Sequence, residues 1–132
     1  MRTKSTTIRI TPAEWEILDT VWKLNSPSVR EVVTTRYPNG EKAYTTIQTL
    51  MNVLERKGLL VHKKIGLVNF YTPTRERSEI VKHETKNLIR RVFDGSVPAL
   101  ANYLIDQEEL NLDDIRKIKK LLDEKESQLL EK

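Results

Sequence analysis

The sequence predicts a mainly α chain with one small β-hairpin, and three observations carry that prediction. Apolar residues recur at helical spacing in several stretches up to residue 57 and again beyond residue 75. Between them, LLVHKKI (59–65) and LVNFYTP (67–73) switch to an extended, β-rich pattern around Gly66. Basic charge is also uneven. Residues 1–92 carry 17 Lys+Arg against 9 Asp+Glu, whereas residues 93–132 carry 6 against 10. A basic front joined to an acidic tail points to polyanion contact in the first part and a different task in the second.

Residues 1–9 are polar and basic and read as a flexible arm. Thr11 is a natural N-cap, Pro12 suits the first helical position and Glu14 completes a capping box, with Ile10 as a hydrophobic staple. Trp15, Leu18, Val21 and Trp22 share one face of the helix that follows, and the two tryptophans read as core anchors. Asn25-Ser26-Pro27 breaks the chain. Ser26 or Ser28 then caps a second helix over about 28–36, with Val29, Val32 and Val33 inward. Tyr37-Pro38-Asn39-Gly40 is a turn.

The stretch AYTTIQTLMNVLERK (43–57) is the most informative in the chain. Ile47, Leu50, Met51 and Leu54 form its apolar stripe. The opposite face carries Thr45, Gln48, Thr49, Asn52 and Arg56 rather than the Glu and Lys of an ordinary solvated helix. Gln and Asn pair bidentately with adenine, and a Thr methyl packs on the methyl of thymine. The stretch therefore reads as a DNA recognition helix ended by Gly58. Thr45, Gln48, Thr49 and Asn52 are candidates to read bases. Lys42, Arg56, Lys63 and Lys64 are candidates to hold phosphates. Lysines on a short edge strand also discourage aggregation, and the two roles are compatible.

Three helices followed by a hairpin make a winged helix-turn-helix DNA-binding domain over residues 10–74, with the hairpin as its wing. Residues 75–132 read as short helices, the last capped by Asn111. Their narrow apolar stripes cannot form much of a core alone. Pairing with a second copy would cover them, so this part is expected to be a C-terminal helical dimerisation region. Ile89, Val92, Leu100, Tyr103, Leu104, Ile115, Ile118 and Leu122 are the contact candidates. Packing of the same helices back on the winged helix in a monomer is the alternative.

ITPAEWEILDTVW (10–22), YTTIQTLMNVLERKGLL (44–60), NFYTP (69–73) and LANYLIDQEELNLDDIRKIKKLL (100–122) together span nearly the entire chain. In these stretches the chain resembles the penicillinase-repressor family of bacterial winged-helix transcriptional regulators (BlaI/MecI/CopY). The resemblance implies a homodimeric repressor on an inverted-repeat operator. It places Thr45, Thr46, Gln48 and Thr49 in the base-facing part of the recognition helix. In β-lactam-responsive members a membrane sensor with a metalloprotease domain leads to cleavage of the repressor at an Asn-Phe bond. The matching position here is Asn102-Tyr103, where Tyr departs from the pattern. Copper-responsive members use cysteines, and this chain has none.

No thiol chemistry is therefore open to it. His62 and His83 have no acidic or histidine partner at metal-ligand spacing, and no Gly-rich phosphate loop occurs. The reading is of a protein that is not an enzyme and needs no cofactor or metal. With no membrane-spanning stretch and no apolar run near the start, it is expected to be cytoplasmic. Its expected partners are double-stranded DNA, a second copy of itself and, through the resemblance, a membrane sensor metalloprotease system. A winged-helix module that docks another protein through the same polar helix face is the competing function.

Overall fold

A computed structural model describes residues 9–107 and 109–131. All but the last residue of the expected basic arm lies outside the described residues. The elements run α1 (Pro12–Leu24), α2 (Val29–Arg36), α3 (Tyr44–Arg56), β1 (Leu60–Ile65), β2 (Val68–Pro73), α4 (Arg77–Phe93), α5 (Val97–Asp106) and α6 (Leu112–Leu130). The chain divides into two compact units, Met1–Lys82 and His83–Lys132.

The first unit is the winged helix-turn-helix read from the sequence. Its helices start where side chains replace the missing backbone partners of a first turn. Thr11 Oγ1 accepts from Glu14 N at 3.2 Å while Glu14 Oε1 accepts from Thr11 N at 3.0 Å. Ser28 and Glu31 repeat the same capping box at α2. At the end of α3, Gly58 turns the chain with φ +81°, and Leu59 N closes back on Leu54 O. Strands β1 and β2 pair antiparallel from Leu60↔Pro73 to Ile65↔Val68. This leaves a two-residue turn whose first position, Gly66, takes φ +66°.

The core gathers the inward face of every element in the unit. Ile17, Leu18 and Val21 of α1 meet Val32 of α2, Ile47, Met51 and Leu54 of α3, Leu60 and Tyr71 of the wing, and Ile80. Leu50, expected in the same stripe, sits at the edge of this core. Trp15 and Trp22 pack edge to face at 5.7 Å against the core, and the Trp22 indole donates to Arg75 O at 3.0 Å. The wing is stitched to the start of α2 by Tyr71 N donating to Pro27 O at 2.9 Å.

Reading the domain to end at residue 74 follows the last strand. The contacts of Arg75, Arg77 and Ile80 instead join them to the first unit: Arg75 through Trp22, Arg77 through a 3.3 Å pair with Asp19, and Ile80 by burial in the core. Glu14 is a further tie. Its carboxylate is buried yet accepts from Lys57 Nζ at 2.7 Å, and the same ammonium donates to Arg9 O at 2.6 Å. A buried carboxylate is tolerable only with such a partner. The pair fixes the C-terminal end of α3 against the N-terminal end of α1.

In the second unit, Gly95 N returns to Ile89 O with Asp94 and Gly95 both at positive φ, which ends α4. Ser96 caps α5 and Asn111 caps α6. Phe93 lies 6.1 Å from Tyr103 between ring centroids. Neither α5 nor α6 buries a residue among the described ones. No helix is long and apolar enough to cross a membrane among the described residues.

Candidate nucleic-acid interface

Helix α3 is held from behind by three fully buried side chains, Ile47, Met51 and Leu54. That anchoring leaves Thr45, Thr46, Thr49, Asn52 and Arg56 exposed, with Gln48 half-buried beside them. Thr49 Oγ1 donates to Thr45 O at 2.9 Å. Its hydrogen is thus spent on the helix, and what it offers outward is a methyl group and an acceptor oxygen. The start of α3 has no side-chain cap, since Ala43 holds that position. Its first N–H groups therefore lack a side-chain acceptor, a setting that suits an anion.

Gln48 and Asn52 are not independent. Gln48 Nε2 donates to the Tyr71 hydroxyl at 3.0 Å and to Asn52 Oδ1 at 3.2 Å, and the Tyr71 hydroxyl donates to Asn52 Oδ1 at 3.3 Å. Tyr71 reaches α3 from β2, with its ring buried in the core. In sequence Tyr71 reads only as a strand aromatic, and nothing local links it to α3.

The basic residues divide. Arg56 is exposed at the last turn of α3. Lys63 and Lys64 are exposed on β1 and join no salt bridge among the described residues. Successive strand residues point to opposite faces, so the two lysines do not share one. His62 faces α3: its Nδ1 lies 2.7 Å from Glu55 Oε1, and it stands opposite Tyr71 in the ladder. Lys64 lies on that same face, and Lys63 on the other. The Glu55–His62 contact escapes a search for metal-ligand spacing because the turn at Gly58 creates it. Among the described residues no group of three or more His, Asp or Glu could hold a metal ion.

Lys42 has partners of its own. Its ammonium lies 3.8 Å from Glu16 Oε1 and 5.3 Å from the centroid of the Tyr37 ring. Glu16 also accepts from the Tyr37 hydroxyl at 2.9 Å and lies 3.7 Å from Arg36. A phosphate would have to compete with Glu16 for Lys42. Burial, then the hydrogen bond to Glu16 and its charge, push the Tyr37 phenol up to about 12 from 10.0. The unfolded chain would release this proton first. The stability this gives the fold is therefore complete below pH 10.0 and is lost as pH rises to about 12. An alkaline unfolding series should show that loss in the wild type and a smaller one in Tyr37→Phe.

Two further features of this unit have no signal in the linear pattern. Arg30 of α2 sets its guanidinium 5.2 Å from the ring centroid of Tyr44, which is exposed at the first turn of α3. The tip of the wing is apolar: Leu67 is 94% exposed, flanked by exposed Ile65 and Val68.

The expected dimer contacts lie elsewhere in the chain. Val92, Tyr103, Leu104, Ile115, Ile118 and Leu122 are exposed, and Ile89 and Leu100 are half-buried. Asn102 and Tyr103 lie inside α5, where the backbone is helical.

Residues 10–124 match the model of the penicillinase repressor family. The chain is 28% identical over 119 residues to the methicillin resistance regulatory protein MecI of Staphylococcus aureus, covering 90% of this chain and 97% of that protein. It is 27% identical over 116 residues to the penicillinase repressor of Bacillus licheniformis, covering 88% of this chain and 91% of that protein. A solved MarR family protein from Bacillus stearothermophilus superposes with a TM-score of 0.50 at 20% identity, covering 92% of this chain and 76% of that one. This last likeness concerns the fold alone.

Proposed function

Since this chain belongs to the penicillinase repressor family, we propose that it is a sequence-specific DNA-binding transcriptional repressor acting as a homodimer on an inverted-repeat operator. The observation that carries this reading is the outward face of α3. It presents Thr45, Thr46, Gln48, Thr49 and Asn52 on a helix whose other side is locked by Ile47, Met51 and Leu54. Two such helices, one from each subunit, enter successive major grooves about 34–36 Å apart. Arg56 and Lys64 hold phosphates on the α3 side, with Lys63 on the far face of the wing and Lys42 in competition with Glu16. Repression follows from occupying the promoter.

The second unit supplies the dimer contact. Val92 of α4, Leu104 of α5 and Ile115, Ile118 and Leu122 of α6 are all exposed, and apolar side chains left in water in this number favour a partner surface. Cleavage at Asn102-Tyr103 would relieve repression by separating the subunits. A protease takes an extended backbone, so α5 must open first. Within one chain α5 buries no residue, so the subunit contact itself is what opposes that opening. A membrane sensor metalloprotease system is the proposed source of the signal.

Selection of bound sequences from a random duplex pool, followed by anisotropy titration of the winner across salt, tests the reading. The expected result is an enriched inverted repeat bound by two chains with a steep salt slope. Gln48→Ala should cost about 1–3 kcal/mol on that site and relax discrimination at one position. Lys64→Ala should weaken all sequences alike and lower the salt slope by about 1. Weak binding that depends only on duplex length would favour the protein-docking module instead.

A further inference from the structure

The geometry points to Tyr71 as a positioning residue that fixes which hydrogen-bonding pattern the recognition helix shows to DNA. The inference rests on the DNA-reading role of α3 and makes it more specific. A free glutamine offers both an acceptor and donors, which is how it pairs bidentately with adenine. Gln48 is not free. Its amide nitrogen has two hydrogens, one directed at the Tyr71 hydroxyl and the other at Asn52 Oδ1. Only Oε1 remains for a base. Asn52 is biased the opposite way. Its Oδ1 receives both Gln48 and Tyr71, so Nδ2 remains as a donor.

The pair therefore presents one acceptor, from Gln48, and donors, from Asn52. In the major groove an acceptor is met by an amino group, on adenine N6 or cytosine N4. Guanine and thymine offer acceptors there and are rejected. Asn52 suits the reverse set: purine N7, guanine O6 or thymine O4. The Tyr71 hydroxyl closes the arrangement because it accepts from one amide and donates to the other. Its ring is buried in the core, so the hydroxyl is a fixed post rather than a mobile surface group. Without it, the Gln48 amide is free to turn over and meet either kind of base edge.

The test compares sequence preferences of the full chain and its variants on single-base changes of the selected operator. Gln48→Ala first identifies the position that Gln48 reads. At that position the wild type should prefer adenine or cytosine over guanine and thymine. Tyr71→Phe keeps the ring and removes the hydroxyl. It should erode that preference by about 5- to 10-fold, the lower end of what one base contact discriminates. Its melting temperature and salt slope should stay those of the wild type, which a merely structural role would not predict. Asn52→Ala, at an exposed helix position where folding is not at stake, should erode the same preference at the Gln48 position as well as its own. An unchanged profile in Tyr71→Phe, or an Asn52→Ala effect confined to its own base, overturns the role of Tyr71 while leaving the repressor reading in place. A wild type that enriches no sequence overturns both.

Discussion

Leu54→Ala will destabilise the first unit by about 2–5 kcal/mol, the range for removing a buried leucine where neighbours close in only partly. Leu54 is fully buried between α3 and the rest of the core, and its carbonyl accepts from Leu59 N at the turn into the wing. The cavity would open under the recognition helix, where that helix is joined to β1. A single domain is stable by roughly 5–15 kcal/mol, so the loss is a large share of the whole. A denaturant series should show a lower midpoint with an unchanged slope. DNA binding should then fall only as far as the unfolded fraction requires and recover at low temperature. Gln48→Ala, which removes a contact and spares the core, should weaken binding at every temperature. If Leu54→Ala instead loses operator affinity while remaining fully folded, α3 is held by something other than its buried stripe.

The same contrast between local and distant contacts governs what the sequence alone makes legible. The helices were legible because their signals are local. Thr11 with Glu14 is the capping box the sequence shows, and the caps Ser28 with Glu31 and Asn111 with Asp114 likewise close over three residues. Gly58 and Gly66 mark turns that require positive φ. The outward face of α3 follows from the helical period alone. The partners that decide what each side chain is free to do are distant in sequence, and no periodicity reveals them. Tyr71 reaches Gln48 across 23 residues, Lys57 reaches Glu14 across 43, and Trp22 reaches Arg75 across 53. Lys42 shows the consequence. As a residue type before a recognition helix it is a natural phosphate contact, yet Glu16, contributed by α1, already holds its charge. The end of the first unit was hidden for the same reason: the last strand ends at Pro73, but Ile80 completes the core.

Ile118→Asp combined with Leu122→Asp will remove what dimerisation adds to operator affinity while leaving each winged helix intact. Both side chains are exposed, at 43% and 63%, so the charges enter water in a single chain and need not unfold it. They lie four residues apart on α6, together with Ile115 one turn earlier, and form one seam. A helix of 19 residues with this much apolar surface and no buried residue gains little from packing within its own chain. In the proposed dimer the seam meets its copy, where four carboxylates would be forced together without partners. Linking two half-site contacts raises affinity by roughly 10²–10⁴ over one, and that factor is what the variant should lose. Sedimentation should give a monomer. Affinity for a single half-site should match that of the wild type, because α3 is untouched. A variant that remains dimeric and binds the full operator as before would move the subunit contact away from α6. A monomer that keeps full operator affinity would show instead that the two half-sites are read independently.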